Sequence, residues 1–387
     1  MSVTYLDAAV VAPVNPVARQ ALISAIDEGW ADPRRLHSQG RQARLLLENA
    51  RAAIAAELGA RIEEVTFTGS YESAVDAAVL GVRQARRRTG SVVVTSAIEH
   101  SAVLQAAAWI DPSGSTDPEH PISVVVGTGP SGLIDATAFE AAVRQPDVVL
   151  ACLQAANAEV GTLQPVEAIA THTRCAGVPL LMDATAVAGQ IQLPGAWDIL
   201  VADPRSWAAP GGLGVLVVRE GTRWVAPGPP DEGTERVAGS VSVPVALAAA
   251  VALQQANADR VTQEAHRRTL VRRIRDAAER IPDTEAAGHP GAVDSLPHVL
   301  TFSSLYVDGE AVVGELDRLG FAVGSGSACT ASTLEPSHVL AAMGVLTHGN
   351  IRIGLPAGVA AAEVDRFCDV LPGAIASVRS LLGADDL

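Results

Sequence analysis

Short apolar runs alternate with amphipathic stretches through the first two-thirds of the chain. The runs cover residues 65–68, 91–95, 122–126, 148–153, 179–182, 198–202 and 214–218. They are rich in valine, leucine and isoleucine and too short for buried helices, so they read as strands. Strands apolar on both faces and separated by helical connections predict a mostly parallel seven-stranded sheet with helices on both sides. Asn15 before Pro16 offers a cap with proline at the first helical position, and Pro165 opens another helix. From about 244 to 281 the pattern turns helical and rich in arginine and glutamate, which predicts one or two long helices leaving the sheet. A Gly/Pro-rich stretch at 288–291, a strand near 299–303 and two or three helices complete the chain. The expected organisation is a large α/β domain over 15–250 and a smaller α+β domain built from 1–14 and 251–387.

Composition narrows the class. The 387 residues are 48% hydrophobic and 18% charged, a balance that supports a large core rather than disorder. A net charge of −15 argues against nucleic acid as a partner, and Arg86-Arg87-Arg88 is short enough to be a helix end. The first residues lack the basic stretch of a signal peptide, and no uncharged apolar run reaches membrane-spanning length. Cys152, Cys175, Cys329 and Cys368 are widely spaced without a CxxC pair. Neither a disulfide framework nor a metal site is expected, and the reading is a cytoplasmic protein.

Two features bear on chemistry. All 28 basic side chains are arginine, with no lysine in the chain. A cofactor carried as a Schiff base needs an amine, and a permanently protonated guanidinium cannot substitute. The second feature is Gly324-Ser325-Gly326-Ser327-Ala328-Cys329-Thr330. A cysteine in such a small-residue loop has the reach that a thiolate nucleophile requires. Cys152 falls inside a predicted strand and Cys368 on an apolar helix face, both read as buried fillers; Cys175 closes a helix.

With that loop in view, the chain resembles the cysteine desulfurases of the class V aminotransferase group, which have the fold of type I pyridoxal-phosphate enzymes. The resemblance rests on Tyr5-Leu6-Asp7, Leu36 to Arg41, Glu99 to Leu104, Asn157 to Gly161, Asp183-Ala184-Thr185, Pro210 to Gly214, Gly326 to Thr330, Glu335 to Leu340 and Ile351-Arg352, in this order and spacing. It implies a dimer that takes sulfur from L-cysteine, leaving alanine and a protein persulfide. It further implies that His100 stacks on the cofactor ring, that Asp183 pairs with the ring nitrogen and that Cys329 takes the sulfur. Arg352 would clamp the substrate carboxylate, and Ser240 would reach the phosphate from the other subunit.

Other positions depart from the family pattern in one direction. The family's Ser-x-His-Lys is here Asp203-Pro204-Arg205-Ser206, with serine at the Schiff-base position. Asp203 stands where a hydroxyl should meet the phosphate; two like charges about 4 Å apart repel by roughly 4 kcal/mol at an effective dielectric near 20. Tyr71 replaces a threonine of the phosphate turn, Ala158 an asparagine and Ala186 a glutamine. Arg205 facing Asp203 would fill the phosphate site, Tyr71 and Trp207 would fill the ring cavity, and Arg352 would pair with Asp203 or another acid. The expected function is that of a desulfurase-like protein without cofactor chemistry of its own, a partner subunit in sulfur transfer as a homodimer or beside an active desulfurase. A persulfide carrier on Cys329 is the alternative, with a sulfur-acceptor protein as partner. A genuine desulfurase that binds pyridoxal phosphate unconventionally is the third reading.

Overall fold

The computed structural model describes residues 3–109, 122–228, 236–237, 239–325 and 336–383. The N-terminal segment gives β1 (Thr4–Tyr5), α1 (Pro16–Glu28), α2 (Ser38–Leu58), β2 (Val65–Thr68) and α3 (Tyr71–Arg86). Strands and helices then alternate as β3 (Val92–Ser96), α4 (Ser101–Ala108), β4 (Ser123–Val126), α5 (Ala136–Val143), β5 (Val148–Gln154), α6 (Val166–Ala176), β6 (Leu180–Asp183), β7 (Ile199–Ala202) and β8 (Gly214–Val218). A single long helix, α7 (Val243–Ala278), leads to β9 (Thr284–Ala286), β10 (Val299–Ser304) and α8 (Gly309–Arg318). The chain ends through β11 (Phe321–Ala322), α9 (His338–Met343), β12 (Asn350–Gly354) and α10 (Ala361–Leu381).

All seven predicted runs enter one sheet, ordered β2-β8-β7-β6-β5-β3-β4. The pairs from β7 through β4 are parallel, while β8 runs antiparallel to both its neighbours. Successive side chains alternate between two cores, as the two-residue repeat of a strand requires. Ala151, Leu153, Met182 and Leu200 pack into one with α2, α6 and the start of α7; Leu150, Cys152, Leu181 and Val201 pack into the other with α3 and α4. Asn15 caps α1 through its side chain, with proline following, as the sequence predicts.

A three-stranded antiparallel sheet, ordered β12-β10-β9, lies in a separate core with α8, α10 and the second half of α7. β1 joins it by pairing in parallel with β11, which places Leu6 there. The boundary placed at 250/251 falls inside α7, an unbroken helix of 36 residues. Its alanines from Ala246 to Ala252 pack in the large core, and Leu270, Ile274 and Ala278 in the small one. No helix among the described residues is long and apolar enough to cross a membrane.

Candidate functional site

Parallel sheets present their functional loops at the carboxyl ends of the strands. Gln154, Asp183 and Val201 stand in register at the ends of β5, β6 and β7, and Glu99 and His100 follow β3. Around them opens a cavity of about 250 Å³.

One end of this cavity is filled by Tyr71, the first residue of α3. Ser70 caps that helix, and its carbonyl lies so close to Gly214 that a Cβ there would sit 2.1 Å away. The tight approach aims the Tyr71 ring inward, where its Oη donates to Asp183 Oδ2 at 2.6 Å. Asp183 Oδ1 accepts from the Thr185 N–H at 2.9 Å, so both carboxylate oxygens are used. Burial, with the neighbouring Asp183 charge, pushes the Tyr71 phenol well above its usual range, which keeps it a donor. His100 caps α4 by accepting from the Ala102 N–H and meets the Tyr71 ring edge-on at 5.0 Å.

A short 3-10 turn over Pro204–Trp207 forms the adjacent wall. Asp203 caps it, and proline occupies its first position. Arg205 folds back onto Asp203, with Nε 2.9 Å and Nη2 2.6 Å from Oδ2. Asp203 Oδ1 also takes the Arg205 N–H, which leaves no free acceptor on that carboxylate. Ser206 is buried and its Oγ donates to the Asp203 carbonyl at 2.9 Å.

The remaining polar groups of the cavity have a different character. Glu99 is buried; its Oε1 accepts from Ser96 Oγ and the Gln154 N–H, whereas Oε2 has no partner among the described residues. Burial raises its pKa to about 8. Among the described residues Glu159 Oε1 is also unpartnered, and burial raises that carboxyl to about 7 against the lowering effects of Ser337 and Arg352. Arg352, on β12, donates through Nη2 to Asp7 at 3.0 Å, while its Nε has no acceptor among the described residues. Gly324 lies flat on this pair, because a Cβ there would come within 2.6 Å of Asp7 Oδ1.

Most of the sequence-derived positions therefore converge. His100, Asp183, Tyr71, Ala158, Ala186, Asp203, Arg205 and Arg352 all line the one cavity. Ser240 is exposed and lies outside it. Cys329 and Glu335 lie outside the described residues.

Two expectations need correction and one is narrowed. Trp207 does not enter the ring cavity: a 3-10 turn sends it to the opposite side from Arg205, where its Nε1 donates to the Ala249 carbonyl on α7. Of the two alternatives for Arg352, Asp203 or another acid, it takes the second and pairs with Asp7, because Asp203 is already held by Arg205. Cys368 is half-buried rather than a core filler, whereas Cys152 is fully buried and Cys175 exposed. Neither Glu99 nor Glu159 stands out in the sequence, although both lie in the stretches that carry the family resemblance; a glutamate beside an apolar strand end is the one local signal.

Residues 4–367 match the aminotransferase class-V family. A cysteine desulfurase of Gluconacetobacter diazotrophicus is 32% identical, with 98% of this chain and 95% of that one covered. The cysteine desulfurase IscS of Dictyoglomus turgidum is 30% identical over 97% and 95% of the two chains. This chain belongs to the cysteine desulfurase family. A solved NifS-like protein shares the fold, with a TM-score of 0.87, 23% identity and coverage of 97% and 100%. In this cysteine desulfurase homologue, Asp183 Oδ2 is bonded to Tyr71 and the Asp203–Arg205–Ser206 turn is closed on itself.

Proposed function

We propose that this protein serves sulfur mobilisation without pyridoxal-phosphate chemistry of its own, as a non-catalytic desulfurase homologue that works by association. The observation that carries this reading is the 2.6 Å bond from Tyr71 to Asp183. A cofactor ring nitrogen would need that carboxylate oxygen, and the cofactor ring would need the volume the phenol fills against His100. Two further features agree. Ser206 offers no amine, and the Asp203–Arg205 pair is self-satisfied where a phosphate would have to be held. The residues present do not fit the family cofactor.

Association has a surface to use. The segment around α1 and α2 exposes Val17, Ile26 and Leu45, with Trp30 69% and Leu36 82% accessible. Apolar side chains at that density suit a protein partner, either a second copy or a catalytically competent desulfurase in a cytoplasmic assembly.

Spectral titration of the purified full chain with pyridoxal phosphate tests the reading. Loss of the added cofactor on desalting, with no alanine formed from L-cysteine, is the expected outcome. A retained absorbance band or alanine release would overturn it in favour of an authentic desulfurase. A second reading follows from the retained Gly326-Ser327-Ala328-Cys329-Thr330 sequence: a persulfide carrier charged by another enzyme. Incubation with an active desulfurase and cysteine should then add sulfur to Cys329 alone; equal labelling of the other cysteines counts against it.

A further inference from the structure

On the far side of the 203–207 turn, between α1, α7 and the 355–359 segment, lies a second cavity of about 440 Å³. Arg267 of α7 lines it, although only 3% of this residue is accessible. A buried cation ordinarily has an acidic counter-charge. Among the described residues none is paired with Arg267: Nη1 donates to Gln190 Oε1 at 2.7 Å, and Nε to the Gln263 carbonyl at 3.3 Å. Among the described residues Nη2 has no acceptor and no carboxylate forms an ion pair with this side chain; the nearby Glu264 is paired with Arg268. Burial lowers the Arg267 pKa to about 10, still charged at neutral pH.

We propose that this cavity binds a small monocarboxylate with an apolar body, its carboxylate on Arg267. The walls suit the body: Val14, Trp207, Ala256, Leu355 and Val359 are apolar. The charge state is set by two other lining residues, Asp259 and Glu363. Their carboxylates already accept from Gln255, Thr4 and the Ala360 N–H, so they are not free to leave. A dianion such as phosphate would face both with a single guanidinium to offset it, whereas a monoanion leaves the smaller repulsion. Gln190, which holds Arg267, also donates to the Ser206 carbonyl at 2.8 Å, on the turn whose Asp203 and Arg205 line the first cavity.

Saturation-transfer NMR on the full chain provides the test, with propionate, isovalerate and benzoate set against their neutral amides, and phosphate followed by its own linewidth. The acids should bind and the amides should not; phosphate should compete poorly. Arg267→Met should weaken the acids roughly tenfold to a hundredfold, the effect of losing a charged hydrogen bond. If that variant fails to fold, Ala256→Leu, which keeps the arginine and fills the cavity, decides the matter and should weaken them comparably. Equal binding of acids and amides, equal competition by phosphate, unchanged binding in either folded variant, or no binding of the acids would each overturn the proposal.

Discussion

The two ends of the first cavity differ in how their polar groups are satisfied. At the Tyr71 end each carboxylate oxygen of Asp183 and Asp203 accepts a hydrogen bond from within the chain. Among the described residues, Glu159 and Arg352 at the other end, and Glu99 between the two, each keep a buried polar atom without a partner. Buried polar groups are normally paired because an unpaired one costs about 1–3 kcal/mol. The first end has become protein core, assembled from side chains that complement one another. The second keeps polar atoms that no other described residue satisfies.

This contrast can be broken most forcefully at Tyr71. Tyr71→Ala should destabilise the fold by about 3–5 kcal/mol, as for other buried aromatics. Tyr71→Phe should lose about 1–3 kcal/mol, since it keeps the ring but leaves Asp183 with an empty acceptor. Urea denaturation of the two variants separates filling from hydrogen bonding; near-zero losses in both would mean that the ring end is still an open pocket.

Next in size is the pH dependence of the unsatisfied end. Glu99 is raised from 4.5 to about 8 and Glu159 from 4.5 to about 7, so the folded state holds their protons more tightly than the unfolded chain. Their contribution to stability is complete below pH 4.5 and is lost as the pH rises towards 7 and 8, on the order of a few kcal/mol. Glu99→Gln should flatten the upper part of that slope. Denaturation midpoints across pH 5–9 in wild type and variant check the sign, and an unchanged slope would remove Glu99 as the source.

Arg205→Ala should cost less, about 1–2 kcal/mol, because the arginine is 40% accessible even though Asp203 is buried. Adding Asp203→Asn to that variant should recover part of the loss, and a double-mutant cycle with no coupling would deny that the pair acts as a unit. The smallest effect is expected from Asp7→Asn, about 1 kcal/mol, from weakening the single bond to Arg352 Nη2.

How much of this was legible in the chain follows from distance. The seven sheet strands were readable because each is a local run buried on both faces, whereas the two-residue strands β1 and β11 carry no period to detect. Asp203 and Arg205 are two residues apart, and adjacent opposite charges announce their own pairing. Tyr71 and Asp183 are separated by 112 residues, so the expectation that Tyr71 fills the ring cavity came from family position and the specific bond came only with the fold. Arg267 sits in an arginine-rich helix beside exposed arginines of the same spacing, and nothing local distinguishes the one turned inward. The direction taken by Trp207 depended on the handedness of a four-residue turn, which composition does not specify.

The unbroken path of α7 has a mechanical consequence. At 1.5 Å per residue its 36 residues form a rod of roughly 54 Å whose first half is embedded in one core and whose second half is embedded in the other. Such a beam resists bending between the two cores that it joins. A carboxylate lodged on Arg267 would add a bolt to the middle of that beam.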